Sequence, residues 1–73
     1  MPLRGYFKIG DKGEQVKLLQ KFLNWALGIK LVVDGILGAK TFAAVKKFEK
    51  LTGLAQDGLF GKKCLAKAKV FTK

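Results

Sequence analysis

The run Val33-Asp34-Gly35-Ile36-Leu37-Gly38-Ala39-Lys40 returns as Gln56-Asp57-Gly58-Leu59-Phe60-Gly61-Lys62-Lys63, twenty-three residues later. Each copy leads straight into a segment with helical spacing, beginning at Thr41 and at Cys64. Repeated turn chemistry, rather than repeated hydrophobicity alone, marks one turn-helix unit used twice. In each unit Asp34 or Asp57 can accept backbone N–H bonds from just ahead in an Asx turn. Gly35 and Gly58 permit the positive φ that such a turn often needs. Gly38 and Gly61 stand where the helix begins, and a side chain there would crowd the crossing backbone. The aspartates therefore read first as formers of rigid corners and only second as contacts to a ligand.

A further helix is expected ahead of the repeats. Asp11-Lys12-Gly13-Glu14 has the form of a capping box, with Asp11 as N-cap and Glu14 at N3. Val16, Leu19, Leu23, Ala26 and Leu27 then fall on one stripe at about 100° per residue, away from Lys17, Lys21 and Asn24. Leu18, Phe22 and Trp25 widen that apolar surface beyond a one-sided stripe. Leu27-Gly28-Ile29 and Leu51-Thr52-Gly53-Leu54 each predict a Schellman ending, with Gly at C′ and an apolar residue at C″. The second helix, from about Ala39, turns Thr41, Ala44, Val45, Phe48 and Leu51 inward and Lys46, Lys47 and Lys50 mostly outward. The third starts near Lys62 and carries Cys64, Leu65, Ala68 and Phe71 on its apolar side. Phe22, Phe48, Phe60 and Phe71 are assigned to the core. The expected architecture is all-α: a compact three-helix bundle with two Asp-Gly-x-x-Gly turn-helix repeats, an arm over residues 1–10 and the helical domain over 11–73.

Composition narrows the function classes. Seventy-three residues approach the lower limit for a self-sufficient core. A hydrophobic content of 49 % with six Phe argues that the core is real. The single Cys64 rules out an internal disulfide. The absence of histidine removes the usual metal clusters and His-based triads, so neither a metal nor a cofactor is expected. With no base beside it, Cys64 reads as a small core residue rather than a nucleophile. The N-terminal residues contain no apolar h-region of a secretory signal. Apolar runs such as Leu31-Val32-Val33 fall far short of the roughly 20 residues of a membrane span. A net charge of +10 favours a polyanionic partner: nucleic acid, anionic lipid or a phosphate-bearing cell wall.

The ordered series Gly13-x-x-Val16-x-x-Leu19-Gln20-x-x-Leu23-Asn24, Asp34-Gly35-x-x-Gly38-x-x-Thr41-x-x-Ala44-Val45-x-x-Phe48 and Gly53-Leu54-x-x-Asp57-Gly58-x-x-Gly61 resembles the three-helix peptidoglycan-binding domain. The resemblance runs from about Gly10 to Phe71, and Leu3-Arg4-Gly5-Tyr6-Phe7-Lys8 resembles the approach to such modules at the C-terminal end of wall amidases and lysozyme-like endolysins. It implies a noncatalytic module that binds peptidoglycan and, through its charge, anionic wall polymers. It also implies a catalytic hydrolase domain upstream and a site of action outside the cell, at the bacterial wall, reached through a fused protein or phage lysis. A monomer is expected. Three positions depart from the family pattern. Glu49 stands where Gln is usual, Cys64 replaces the Thr found at position 41 of the first repeat, and Phe42 occupies a position that is commonly polar.

Peptidoglycan offers sugar faces that stack on aromatic rings, together with amides and carboxylates that need donors and acceptors. The candidate contacts are therefore Phe42 and Lys46, one helical turn apart, Asn24 and Trp25 near the end of the first helix, and Lys40 at the start of the second, where partial positive charge suits a carboxylate. Structural roles compete: Trp25 could pack beneath the arm carrying Tyr6 and Phe7, Phe42 could cover the Asp34-Gly35 corner, and the lysines could form a solvated face.

Three other functions compete. Short helices and a high pI suit a small basic nucleic-acid-binding domain, but arginine is nearly absent and no helix presents an Arg/Asn/Gln row for base edges. A membrane-active peptide fits poorly with so many turn and cap signals. For glycoside hydrolysis, Asp34 and Asp57 would have to face each other across a cleft at about 5–9.5 Å; their place in repeated turns explains both, and no catalytic residue is nominated.

Overall fold

The computed structural model describes residues 3–72; Met1, Pro2 and Lys73, the ends of the two expected segments, lie outside it. Three helices follow in order, α1 (Glu14–Leu27), α2 (Ala39–Leu51) and α3 (Lys62–Val70). Among the described residues there are no strands, only two isolated antiparallel bridges, Phe7 to Phe60 and Lys12 to Ile36. Both helix endings follow from glycine. Gly28 takes φ 65°, and the Ile29 N–H reaches back to the Asn24 carbonyl at 3.2 Å. Gly53 takes φ 79°, with its own N–H on the Lys50 carbonyl and the Leu54 N–H on that of Glu49 at 2.7 Å. Both are Schellman closures.

The start of α1 differs from the capping box expected at Asp11. The helix begins at Glu14 behind Gly13, which takes φ 123° and makes no side-chain cap bond. Long-range pairing explains the shift: Gly10 N–H bonds to the Leu37 carbonyl, Leu37 N–H to that of Asp11, and Gly13 N–H to that of Gly35. Residues 10–13 are thus laid against the first corner and cannot join the helix. The Asp11 carboxylate serves the arm instead, accepting the Lys8 N–H at 3.0 Å and the Arg4 guanidinium at 2.6 Å.

The core runs from the arm through all three helices. Phe7, Leu19, Leu23, Val45, Phe48 and Phe60 are fully buried, each contributing about 1.5–3 kcal/mol by leaving water. Phe48 meets Phe22 edge-on at 5.3 Å and stacks on Phe60 at 6.1 Å, and Phe60 meets Phe7 at 5.6 Å. Phe71 joins the edge of this cluster half-buried. Leu51, expected inward, is 58 % exposed, while Phe48 and Glu49 in the same last turn of α2 are buried. The arm contributes Leu3 and Phe7 to the core, and it touches both corners, through the Phe7–Phe60 bridge and the Gly10 N–H on the Leu37 carbonyl.

Candidate ligand-binding site

The two repeats close in the same way. Asp34 Oδ1 accepts the Ile36 N–H and Asp57 Oδ1 the Leu59 N–H, both at 2.9 Å, which makes each corner an Asx turn. Gly35 and Gly58 take φ 76° and 77°. Each corner is then locked by one buried side chain from the preceding helix. From α1, Gln20 Oε1 accepts the Gly35 N–H at 2.9 Å, while its Nε2 lies 3.0 Å from Asp34 Oδ1 and 3.1 Å from both Thr41 Oγ1 and the Ile36 carbonyl. From α2, Glu49 Oε1 accepts the Gly58 N–H at 2.8 Å, and its Oε2 faces the Cys64 thiol at 3.5 Å.

The second corner has a titratable carboxyl where the first has an amide. Burial pushes the Glu49 carboxyl above the usual carboxylate range, partly opposed by the Gly58 N–H. The Leu59 N–H and then the hydrogen bond from Glu49 hold Asp57 below it. The raised Glu49 carboxyl thus stands beside the lowered one of Asp57, and in its protonated form it can donate to the Asp57 carboxylate as the Gln20 amide donates to Asp34. Asp34 is held low as well, first by Gln20 and then by the Ile36 N–H. Burial, and then the neighbouring Glu49 carboxyl, push the Cys64 thiol up to about 12, so it stays a thiol within the core.

The five candidate contacts do not form one patch. Phe42 and Lys46 do meet, with Nζ 5.6 Å from the ring centroid, a cation–π distance. The ring covers the second corner rather than the first: a Cβ added at Gly58 would land on it. The first corner is covered instead by the Lys17 stem, 3.2 Å from a Cβ built at Gly35. Asn24 is committed to backbone, with Nδ2 on the Leu31 carbonyl at 3.0 Å and Oδ1 accepting the Leu31 N–H at 2.6 Å. It shapes the loop that walls a cavity of about 340 Å3, on whose rim Lys40 stands. Trp25 is 48 % exposed and packs on Phe71 at 5.6 Å and Phe22 at 6.0 Å, while the arm's Phe7 enters the core. Sequence reasoning missed Gln20 and Glu49 as the two corner locks; the usable signal was that both precede an Asp-Gly pair, one as amide and one as acid.

Comparison with known proteins gives the frame for this geometry. Residues 12–67 match the family described as "Putative peptidoglycan binding domain". The chain is 39 % identical over 59 residues to the zinc D-Ala-D-Ala carboxypeptidase of Streptomyces albus G, covering 78 % of this chain and 23 % of that protein. The Burkholderia AP3 phage endolysin superposes with a TM-score of 0.84 at 34 % identity, covering 92 % of this chain and 25 % of the endolysin. A periplasmic domain of the Vibrio vulnificus type II secretion EpsAB fusion protein superposes at 0.91 with 26 % identity, over all of this chain and 33 % of that one. The chain spans 44 %, 23 % and 11 % of the curated relatives it matches. With two corner-and-helix repeats behind a leading helix, and a match covering most of its length, the chain belongs to the peptidoglycan-binding domain family.

Proposed function

We propose that this chain is a noncatalytic module that binds bacterial peptidoglycan and holds a linked wall hydrolase at its substrate. The family match over residues 12–67 carries the reading, supported by relatives that are wall enzymes several times longer than the matched region. Tethering of this kind raises the local concentration of the enzyme without new catalytic contacts. The acids at the corners, Asp34, Glu49 and Asp57, are each committed to turn hydrogen bonds, which supports a binding rather than a catalytic role. Lys40, the Phe42–Lys46 pair and the exposed face of Trp25 offer cationic and aromatic contacts, and Asn24 acts through the Leu31 loop. The module works as a monomer at the cell wall, with the +10 charge adding attraction to anionic wall polymers.

The test is a pull-down on purified peptidoglycan stripped of teichoic acid, at low salt and at about 0.5 M, where screening confines exposed charges to a few ångströms. Retention at both salts is expected. Retention at low salt alone would assign the binding to net charge and overturn specific recognition. Duplex DNA retained at physiological salt would favour the nucleic-acid reading instead.

A further inference from the structure

The corners enclose two cavities that are copies of one another. Leu31 and Val32 wall the first where Leu54 and Ala55 wall the second, and Ile36 stands where Leu59 does. The lock, the turn aspartate and the Thr41 or Cys64 side chain lie at matching places in each.

The copies differ on their rims. Ala39 and Lys40 at the first become Lys62 and Lys63 at the second, so one ammonium becomes two. The arm adds a further wall to the second cavity alone, the half-exposed ring of Tyr6. That ring is held in place because its neighbour Phe7 exchanges backbone hydrogen bonds with Phe60 at 2.8 and 3.2 Å. The second cavity measures about 440 Å3 against 340 Å3 for the first, within the roughly 300–1,000 Å3 of small-ligand pockets. Its two acids are turned to the corner's own backbone, Asp57 accepting the Leu59 N–H and Glu49 the Gly58 N–H, while Lys62 and Lys63 stand on the exposed rim.

Resting on the wall-binding reading above, we propose that the second-corner cavity is a subsite for a short wall peptide ending in a free carboxylate beside a small aliphatic side chain. Lys62 and Lys63 hold the carboxylate, and Tyr6, Ala55 and Leu59 pack around the methyl-sized side chain. The first cavity has the same frame without the aromatic wall or the second ammonium, and so serves as an internal control.

The experiment is a titration of the full chain, followed through its backbone amide NMR signals. The probes are a synthetic stem tetrapeptide with a C-terminal alanine acid, the same peptide as its C-terminal amide, and glycerol phosphate. Shifts are expected at Tyr6, Leu59 and Lys63, with the acid bound about tenfold more tightly than the amide, as two exposed ion pairs allow. The double variant Lys62→Ala, Lys63→Ala should erase that difference while leaving the amide's affinity in place. Tyr6→Ala should weaken both peptides about threefold to fivefold through lost ring contact. All three side chains are exposed, so an otherwise unchanged spectrum verifies the fold. Equal shifts at Ile36 and Lys40, equal affinity for acid and amide, or equal displacement by glycerol phosphate would overturn the assignment. Absence of shifts from a chain still retained on stripped peptidoglycan would overturn the subsite alone; absence of both would remove the wall-binding reading too.

Discussion

The two corners share a backbone and differ in what locks it. The first is closed by Gln20, a neutral amide that donates and accepts at any ordinary pH. The second is closed by Glu49, which can replace that amide only while it carries a proton. Their covers differ as well, a flexible Lys17 stem over Gly35 against the Phe42 ring over Gly58. One turn design therefore tolerates either lock, but only at the second corner does the lock itself titrate. A buried carboxyl opposite a carboxylate is stable when one proton is shared and costly when both ionise.

The largest effect expected from breaking this comparison is at the glycines. Gly58→Ala forces a positive-φ alanine into the Phe42 ring and should cost about 3 kcal/mol or more. Gly35→Ala has the same φ problem but meets a lysine stem and the Gly13 carbonyl at 3.1 Å, so a smaller loss of about 1–3 kcal/mol is expected. Urea unfolding measures both, and adding Phe42→Ala should recover part of the Gly58→Ala loss but none of the Gly35→Ala loss.

Exchanging the locks comes next. Gln20→Glu sets a second carboxyl against Asp34 and should cost about 1–3 kcal/mol at neutral pH, less in acid. Glu49→Gln should match or exceed the natural chain at neutral pH, by up to about 1 kcal/mol.

The pH profile sharpens the same contrast. Folded Glu49 binds its proton more tightly than it does unfolded. Its contribution is complete below the ordinary value of 4.5 and disappears as pH rises through the raised folded value. Asp34 and Asp57 bind theirs less tightly when folded. Their contribution is complete above the ordinary 3.8 and disappears as pH falls through the depressed values. The groups facing Glu49 are Asp57 from the loop and Cys64 from α3, with Lys62, Lys63 and Tyr6 around the same cavity. Melting temperature should therefore fall in the natural chain as pH rises above 4.5 through the raised Glu49 value and stay level over that range in Glu49→Gln, while both lose stability as pH falls through the depressed aspartate values.

The smallest effect is expected for Cys64→Thr, which gives the second corner the side chain of the first. It should change stability by less than about 1.5 kcal/mol, since size is nearly conserved and the hydroxyl can take over the thiol's contact with Glu49. In the natural chain, thiol labelling should require unfolding, because Cys64 is buried and its thiol stays protonated.

What was legible in the sequence was what local chemistry decides. The Asp-Gly corners, both Schellman endings and the starts of α2 and α3 depend on residues a few positions apart, and glycine or aspartate announces each. What was not legible depends on distant partners. Asp11 failed to cap α1 because residues 10–13 pair with residues 35–37. Gln20 reaches Asp34 fourteen residues away and Glu49 reaches Gly58 nine away, separations that no periodicity reports. Phe42 shields the corner after its own helix rather than the one before it, which only the packing of α2 against the second loop decides. Of the candidate contacts, the Phe42–Lys46 pair was readable because helical spacing sets it. The backbone clamp made by Asn24 was not, since it needed the path of the Leu31 loop.

A Glu49 carboxyl raised toward its protonated form, beside a lowered Asp57, sets the second corner apart from the amide-locked first. The most direct test follows the side-chain carboxyl carbon signals of Glu49 and Asp57 through a pH titration of the folded chain. The account predicts that Glu49 titrates above 4.5 and Asp57 below 3.8. A Glu49 carboxyl that ionises at or below 4.5 while the Gly58 amide stays bonded to it would contradict the account.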